Sequence, residues 1–154
     1  FYKMVCELLG LNLSKKTPIN FKIIRLSNIY GPDMRQGFIY DLISKVLTKK
    51  KFNININKKT CRNFTYIDDA ANCIKFLINK KNWKIINITN SKKITLHEIV
   101  KKVNSNIKKK ISISEIGREN RKLFNTTKLK SLGWKDKIDF DEGIKITLKK
   151  FNAN

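Results

Sequence analysis

Acidic residues, glycines and paired cysteines are scarce in this sequence, and each scarcity closes a door. Asp and Glu number 12 against 34 Lys and Arg in 154 residues, a formal charge of +22. The six glycines never form G-x-G-x-x-G or G-K-[ST], so there is no phosphate-cradling loop. The three cysteines, Cys6, Cys61 and Cys73, contain no C-x-x-C pair and are odd in number. That argues against a disulfide framework or thiolate zinc site and fits a reducing cytoplasm. With His97 as the single histidine, no cluster has metal-ligand spacing. No apolar run approaches the roughly 18 residues of a membrane span, and no basic-then-apolar leader is present. No unit of 20 to 50 residues repeats, which rules out a solenoid.

What is present is a globular composition, 41% hydrophobic and 30% charged, of single-domain length. Lys, Asn and Ile account for 29, 18 and 23 residues. All three use AT-rich codons, so coding bias explains the basicity more simply than selection for nucleic acid. The lysine clusters agree, because they fall at nearly every element boundary, from Lys15-Lys16 to Lys149-Lys150, rather than along one groove. A basic nucleic-acid-associated module, or a non-catalytic nucleotide-binding one, is the alternative. The four Asn-x-Ser/Thr sequons at Asn12, Asn63, Asn87 and Asn125 are chance in so Asn-rich a chain. Phe1 is not an initiator methionine and lies inside a helical pattern, so the expectation is a piece of something longer.

Hydrophobic spacing predicts a helix over residues 2 to 12, ended by Gly10 and the Ser-Lys-Lys-Thr-Pro stretch, with Lys3 and Glu7 one turn apart. Phe21 to Leu26 predicts a buried strand, and Asn28 to Pro32 a loop by its Gly-Pro punctuation. Helical spacing returns over 38 to 48. Phe52 to Asn57 alternates as a half-exposed strand does, and Phe64 to Ile67 is a short extended run. Asp68-Asp69 then opens a helix with the stripe Ala70, Cys73, Ile74, Leu77 and Ile78, its acids at the positive end of the dipole. Lys84 to Thr89 and Ile111 to Ile116 read as strands. Thr95 and Glu98 form a capping box, and Asp139 caps a further helix by the same logic. Strands alternating with helices make an α/β chain.

Taken singly, the polar candidates have ordinary explanations. Lys3 with Glu7 is a surface pair, His97 a solvated side chain beside a cap, and Asp68-Asp69 helix-start electrostatics. The five arginines stand out more, since in a lysine-biased chain Arg is kept where a planar fork is needed. Arg25 ends one predicted strand and Arg62 precedes another, so both could face a crevice at strand ends.

In order, these segments resemble the extended short-chain dehydrogenase/reductases, the NAD-dependent nucleotide-sugar epimerase/dehydratase family. Lys3-Met4-Val5-Cys6-Glu7 resembles the end of that family's Tyr-x-x-x-Lys-x-x-x-Glu helix. Arg25-Leu26-Ser27-Asn28-Ile29-Tyr30-Gly31-Pro32 is similar to its Arg-x-x-Asn-x-Tyr-Gly-Pro strand and loop. Arg62-Asn63-Phe64-Thr65-Tyr66-Ile67-Asp68-Asp69 is similar to its Arg-Asp-Phe-x-Tyr-Val-x-Asp signature. Arg121 through Leu132-Gly133-Trp134 to Glu142-Gly143 resembles the tail of related epimerases.

The resemblance implies the C-terminal part of a Rossmann-type parallel sheet plus a small mixed α/β substrate-binding lobe. Residues 1–35 and 60–90 would be Rossmann-core elements, and 36–59 and 91–154 the lobe. It implies a nucleotide-sugar substrate, oxidised transiently to a keto sugar, and NAD as cofactor, with NADP the alternative. Lys3 would be catalytic and cofactor-binding, holding the nicotinamide ribose and lowering the pKa of the family's tyrosine. Ser27 and Asn28 would meet the cofactor, and Asn28, Arg62 and Arg121 the substrate, Arg62 gripping the pyrophosphate. Asp69 would be a helix cap and loop anchor. The tyrosine would stand two positions before Phe1, so this stretch alone should be inactive. Asn63 and Asn125 replace aspartates common in the family. The whole protein would be a cytoplasmic homodimer packed through the Lys3 helix, with no membrane and no specific nucleic acid as partner.

Overall fold

The structure is a computed structural model that describes residues 1–49, 51–107, 111–117 and 123–152. Its helices are α1 (Tyr2–Lys16), α2 (Phe38–Thr48), α3 (Ile67–Ile78), α4 (Leu96–Ile107), α5 (Thr127–Ser131) and α6 (Phe140–Asn152). Its strands are β1 (Ile23–Leu26), β2 (Asn28–Tyr30), β3 (Phe52–Ile56), β4 (Cys61–Arg62), β5 (Phe64–Tyr66), β6 (Ile85–Ile88), β7 (Ile94–Thr95) and β8 (Ile111–Glu115). Among the described residues the strands pair two by two. β1 runs parallel to β6, β2 to β5 and β3 to β8, while β4 and β7 are antiparallel. Parallel pairs need crossover connections, which the intervening helices provide. The architecture is therefore mixed α/β with parallel strand pairs, as the sequence predicts.

Two apolar clusters organise it. The larger gathers Ile39, Leu42, Ile43 and Val46 of α2, Ile99, Val100 and Val103 of α4, and Ile144 and Leu148 of α6. Tyr30 of β2 and Phe64 and Tyr66 of β5 reach into the same cluster. α6 lies close because Gly143 carries no side chain there: a Cβ would stand 2.2 Å from the Tyr30 hydroxyl oxygen. The smaller cluster holds Cys73 and Leu77 of α3, Ile86 and Ile88 of β6, Trp83 and Leu129. Between them runs a polar tie. Asp69 is 2% exposed, and its carboxylate accepts the backbone N–H groups of Lys137 and Ile138. It is thus the loop anchor expected, although its side chain caps no helix.

Both capping predictions hold. Thr95 N–H donates to Glu98 Oε2 at 2.7 Å and Glu98 N–H to Thr95 Oγ1 at 3.0 Å. Asp139 Oδ1 accepts the Glu142 N–H at 2.9 Å. These bonds favour the ionised acids and hold both carboxyls below their usual range.

Elsewhere the structure corrects the expectations. α1 passes through Gly10, which is buried under Phe21, and stops before Thr17 and Pro18. Thr17 is extended, as the residue before a proline prefers. Leu8 and Leu9 of its apolar stripe are 54% and 58% exposed. β1 is only half-buried, and Ile78, at the last turn of α3, is exposed. Asn28–Tyr30, expected as loop, is a strand because β5 supplies a ladder that local punctuation cannot reveal. Glu7 turns to Arg25 rather than to Lys3. His97 is half-buried rather than solvated, and its Nδ1 has no hydrogen-bond partner among the described residues. Among those residues no group of His, Cys, Asp or Glu could hold a metal, and no helix is long and apolar enough to cross a membrane.

Candidate functional site

Four of the five residues singled out in the sequence converge on one cavity of about 340 Å³. Lys3 comes from the first turn of α1, Ser27 and Asn28 from the β1–β2 junction, and Arg62 from β4. The fifth, Arg121, lies outside the described residues. Each approach has a local cause. Arg25 of β1 donates from Nε and Nη2 to the two carboxylate oxygens of Glu7, at 2.8 and 2.5 Å. This fork clamps α1 to β1 one turn from Lys3. The pair holds the Glu7 carboxyl below its usual range. Arg25 accordingly serves the scaffold, and of the two arginines expected at strand ends only Arg62 faces the cavity.

Arg62 is placed by the antiparallel β4–β7 ladder, opposite Ile94, with its guanidinium 5.8 Å from the centre of the Phe38 ring. Asn28 sits opposite Phe64 in the β2–β5 ladder, and its Nδ2 donates to the Asn63 carbonyl at 2.9 Å. Ser27 Oγ lies 2.8 Å from Thr65 Oγ1, which also accepts the Asn90 N–H at 3.0 Å. Asn63 is buried and joins three segments. Its Oδ1 accepts the Phe124 N–H at 3.0 Å, its Nδ2 donates to the Asn90 carbonyl at 3.4 Å, and its backbone holds Asn28. An amide suits that position better than a carboxylate, because it faces one N–H and one C=O.

The chemistry of the cavity follows from its lining. Lys3 and Arg62 bring two positive charges, and no acidic side chain is among the described lining residues. The planar Arg fork and the Lys ammonium are groups of the kind that suit phosphate oxygens. Ser27 and Asn28 add neutral hydrogen-bonding groups able to orient a ligand. Burial pushes the Tyr30 and Tyr66 phenols above their ordinary range, so both stay protonated and neither offers a phenolate.

Sequence reasoning did not anticipate Cys61, Leu123 and Phe124 in the lining, or Thr65 behind it. Cys61 had one available signal, its adjacency to Arg62. A separate cavity of about 480 Å³ between the 89–92 and 133–139 segments contains none of the predicted residues. Its larger size does not outweigh the convergence of charges on the smaller one.

The chain resembles known proteins in sequence and in fold. Residues 2–89 match the model of the NAD dependent epimerase/dehydratase family. A protein of Methanocaldococcus jannaschii that bears the name of a UDP-glucose 4-epimerase is 33% identical over 135 residues, covering 82% of this chain and 44% of its own length. The chain therefore spans less than half of that relative. Two solved structures share the fold. A Thermotoga maritima UDP-glucose 4-epimerase with UDP-glucose has a TM-score of 0.84 at 20% identity, covering 98% of this chain and 52% of that one. A Bacillus anthracis dTDP-glucose 4,6-dehydratase in complex with NAD has a TM-score of 0.84 at 22% identity, covering 96% and 49%.

Proposed function

Because the chain belongs to the NAD dependent epimerase/dehydratase family, we propose that its cavity is the part of a nucleotide-sugar site that this stretch contributes. The whole protein would epimerise or dehydrate a nucleotide sugar through transient oxidation to a keto sugar. The observation that carries this reading is the meeting of Lys3, Ser27, Asn28 and Arg62, from three separate segments, around one cavity.

On this reading Arg62 binds the pyrophosphate, with charge and fork geometry acting together. Asn28 orients the ligand between phosphate and sugar, with Arg121 as a further substrate contact. Lys3 and Ser27 hold the nicotinamide ribose end of NAD, or of NADP as the alternative. When bound, that cofactor supplies hydride acceptance and return. The Lys3 ammonium also favours the phenolate of a tyrosine one helical turn upstream, the group that would take the hydroxyl proton.

The β1–β6 pair and α3 support assigning residues 1–35 and 60–90 to the Rossmann core, and 36–59 and 91–154 to the substrate lobe. Tyr30, Phe64 and Tyr66 cross into the lobe's apolar cluster, so the two units share them. The exposed apolar side chains of α1, Met4, Leu8 and Leu9 among them, support a homodimer packed through that helix. A cytoplasmic location accords with the unpaired cysteines.

Calorimetric titration of the 154-residue chain with uridine diphosphate tests the site. The chain is expected to bind it, and Arg62→Met is expected to weaken binding by about tenfold or more. Equal affinity in the two proteins would overturn the assignment of the pyrophosphate to Arg62.

A further inference from the structure

Ser27 and Asn28, two neutral polar groups of the cavity, are backed by Thr65 behind it and by Asn63 in its wall, and those residues decide which way each group faces. Thr65 is 2% exposed. Among the described residues its hydroxyl has two neighbours, the Asn90 N–H, which can only donate to it, and Ser27 Oγ. The Thr65 proton therefore has one acceptor, Ser27 Oγ. Were Ser27 the donor instead, Thr65 would keep a buried proton with nowhere to place it, at the cost of an unmade hydrogen bond. The bond runs from Thr65 to Ser27, and the Ser27 proton is left for the cavity. Asn28 is fixed in the same manner. Its Nδ2 faces the Asn63 carbonyl, which can only accept, so Oδ1 is left as its free acceptor. Asn63 is in turn held by Phe124 and Asn90.

We propose that Thr65 and Asn63 are positioning residues that give the cavity a fixed hydrogen-bonding polarity, with Ser27 donating and Asn28 Oδ1 accepting. This rests on the reading of the cavity as a nucleotide-sugar site and deepens it. The ligand must bring an oxygen acceptor to Ser27 and a hydroxyl or N–H to Asn28. Ser27, although assigned to the cofactor, adjoins Asn28 in the same cavity and so stands where cofactor and substrate meet. A nucleoside diphosphate joined to a hydroxylated sugar offers both groups.

Two measurements on the 154-residue chain test it. In the hydroxyl-proton NMR spectrum, the Thr65 proton should exchange slowly and show contacts to Ser27, while the Ser27 proton exchanges with solvent. A protected Ser27 proton and a solvent-exchanging Thr65 proton would overturn the polarity. In calorimetric titrations with uridine diphosphate, Thr65→Val should weaken binding about fivefold to tenfold, and Thr65→Ser should bring it back to within about twofold. In a Ser27→Ala background the same Thr65→Val change should add nothing, since Thr65 acts through Ser27. An equal loss in both backgrounds, as general loosening of the fold would give, would sink the proposal. If the wild-type chain does not bind uridine diphosphate, the reading of the site falls, and the proton assignment alone decides the polarity.

Discussion

α1 and α4 both carry several apolar side chains, yet they live in different surroundings. α4 buries Leu96, Ile99, Val100 and Val103 in the larger cluster. α1 is longer and buries one residue, Gly10, while Tyr2, Met4, Leu8, Leu9 and Leu13 stand exposed. The α4 side of the molecule satisfies itself. The α1 side, which carries Lys3, is held to the rest by Phe21 over Gly10 and by the Glu7–Arg25 fork. A positive charge of the candidate site thus rides on the least packed helix, and the apolar face beside it is available to other protein surface.

The largest expected difference between the two sides lies in deletions of apolar volume. Ile43, fully buried in the larger cluster, should cost about 2–5 kcal/mol when changed to Ala. Leu8→Ala should stay within about 0.5 kcal/mol. Urea unfolding midpoints of the two variants measure the contrast, and comparable losses would mean that the α1 face is covered in solution. A smaller effect should follow Gly143→Ala, whose new methyl would collide with the Tyr30 ring and force α6 outward. About 1–3 kcal/mol of stability should go, seen as a fall in Tm with helical content kept.

The smallest effect concerns acid. The carboxyls of Glu98 and Asp139 are lowered in the folded state by backbone N–H donors. Their contribution is therefore complete above the ordinary carboxylate pKa of about 4 and is lost as pH falls through the lowered values. Thr95→Ala should remove about 1 kcal/mol at neutral pH and flatten the decline of Tm between pH 5 and 3. Removing the Glu7–Arg25 pair should flatten it less, because a surface ion pair contributes less than a helix cap. The reverse order would show α1 to be better held than its burial indicates.

Which parts of this were legible in the sequence follows from where the information resides. α2, α3, α4 and α6 show themselves through periodicity and caps, which are local properties. β3, β6 and β8 do so through alternation or β-branched runs. β2 was hidden, because three residues before Gly31-Pro32 look like turn until β5 is alongside. β4 and β7 have two residues each and exist only as each other's partners. Gly10 misled because a helix tolerates glycine where a ring presses on it. In the site, Lys3, Ser27, Asn28 and Arg62 stood out through recognisable motifs, so their convergence could be anticipated. Thr65 and Asn63 could not be assigned their parts, since those depend on Asn90 and Phe124, partners distant along the chain.

The seat of α6 against Tyr30 has a consequence for how the protein is made. Tyr30 packs on Phe140, 110 residues further on, and Asp69 waits for Ile138, 69 residues away. Contacts of such long sequence separation close late in folding, after many loops have already lost their freedom. A chain emerging from the ribosome in order would present β2, β5 and α2 well before α6 exists. Through that interval Tyr30, Phe64 and Tyr66 lack their cover, and a chaperone binding apolar segments would find them there. The time during which the nascent chain is vulnerable is set by the distance from Tyr30 to Gly143, and a pause in translation just before α6 would lengthen it.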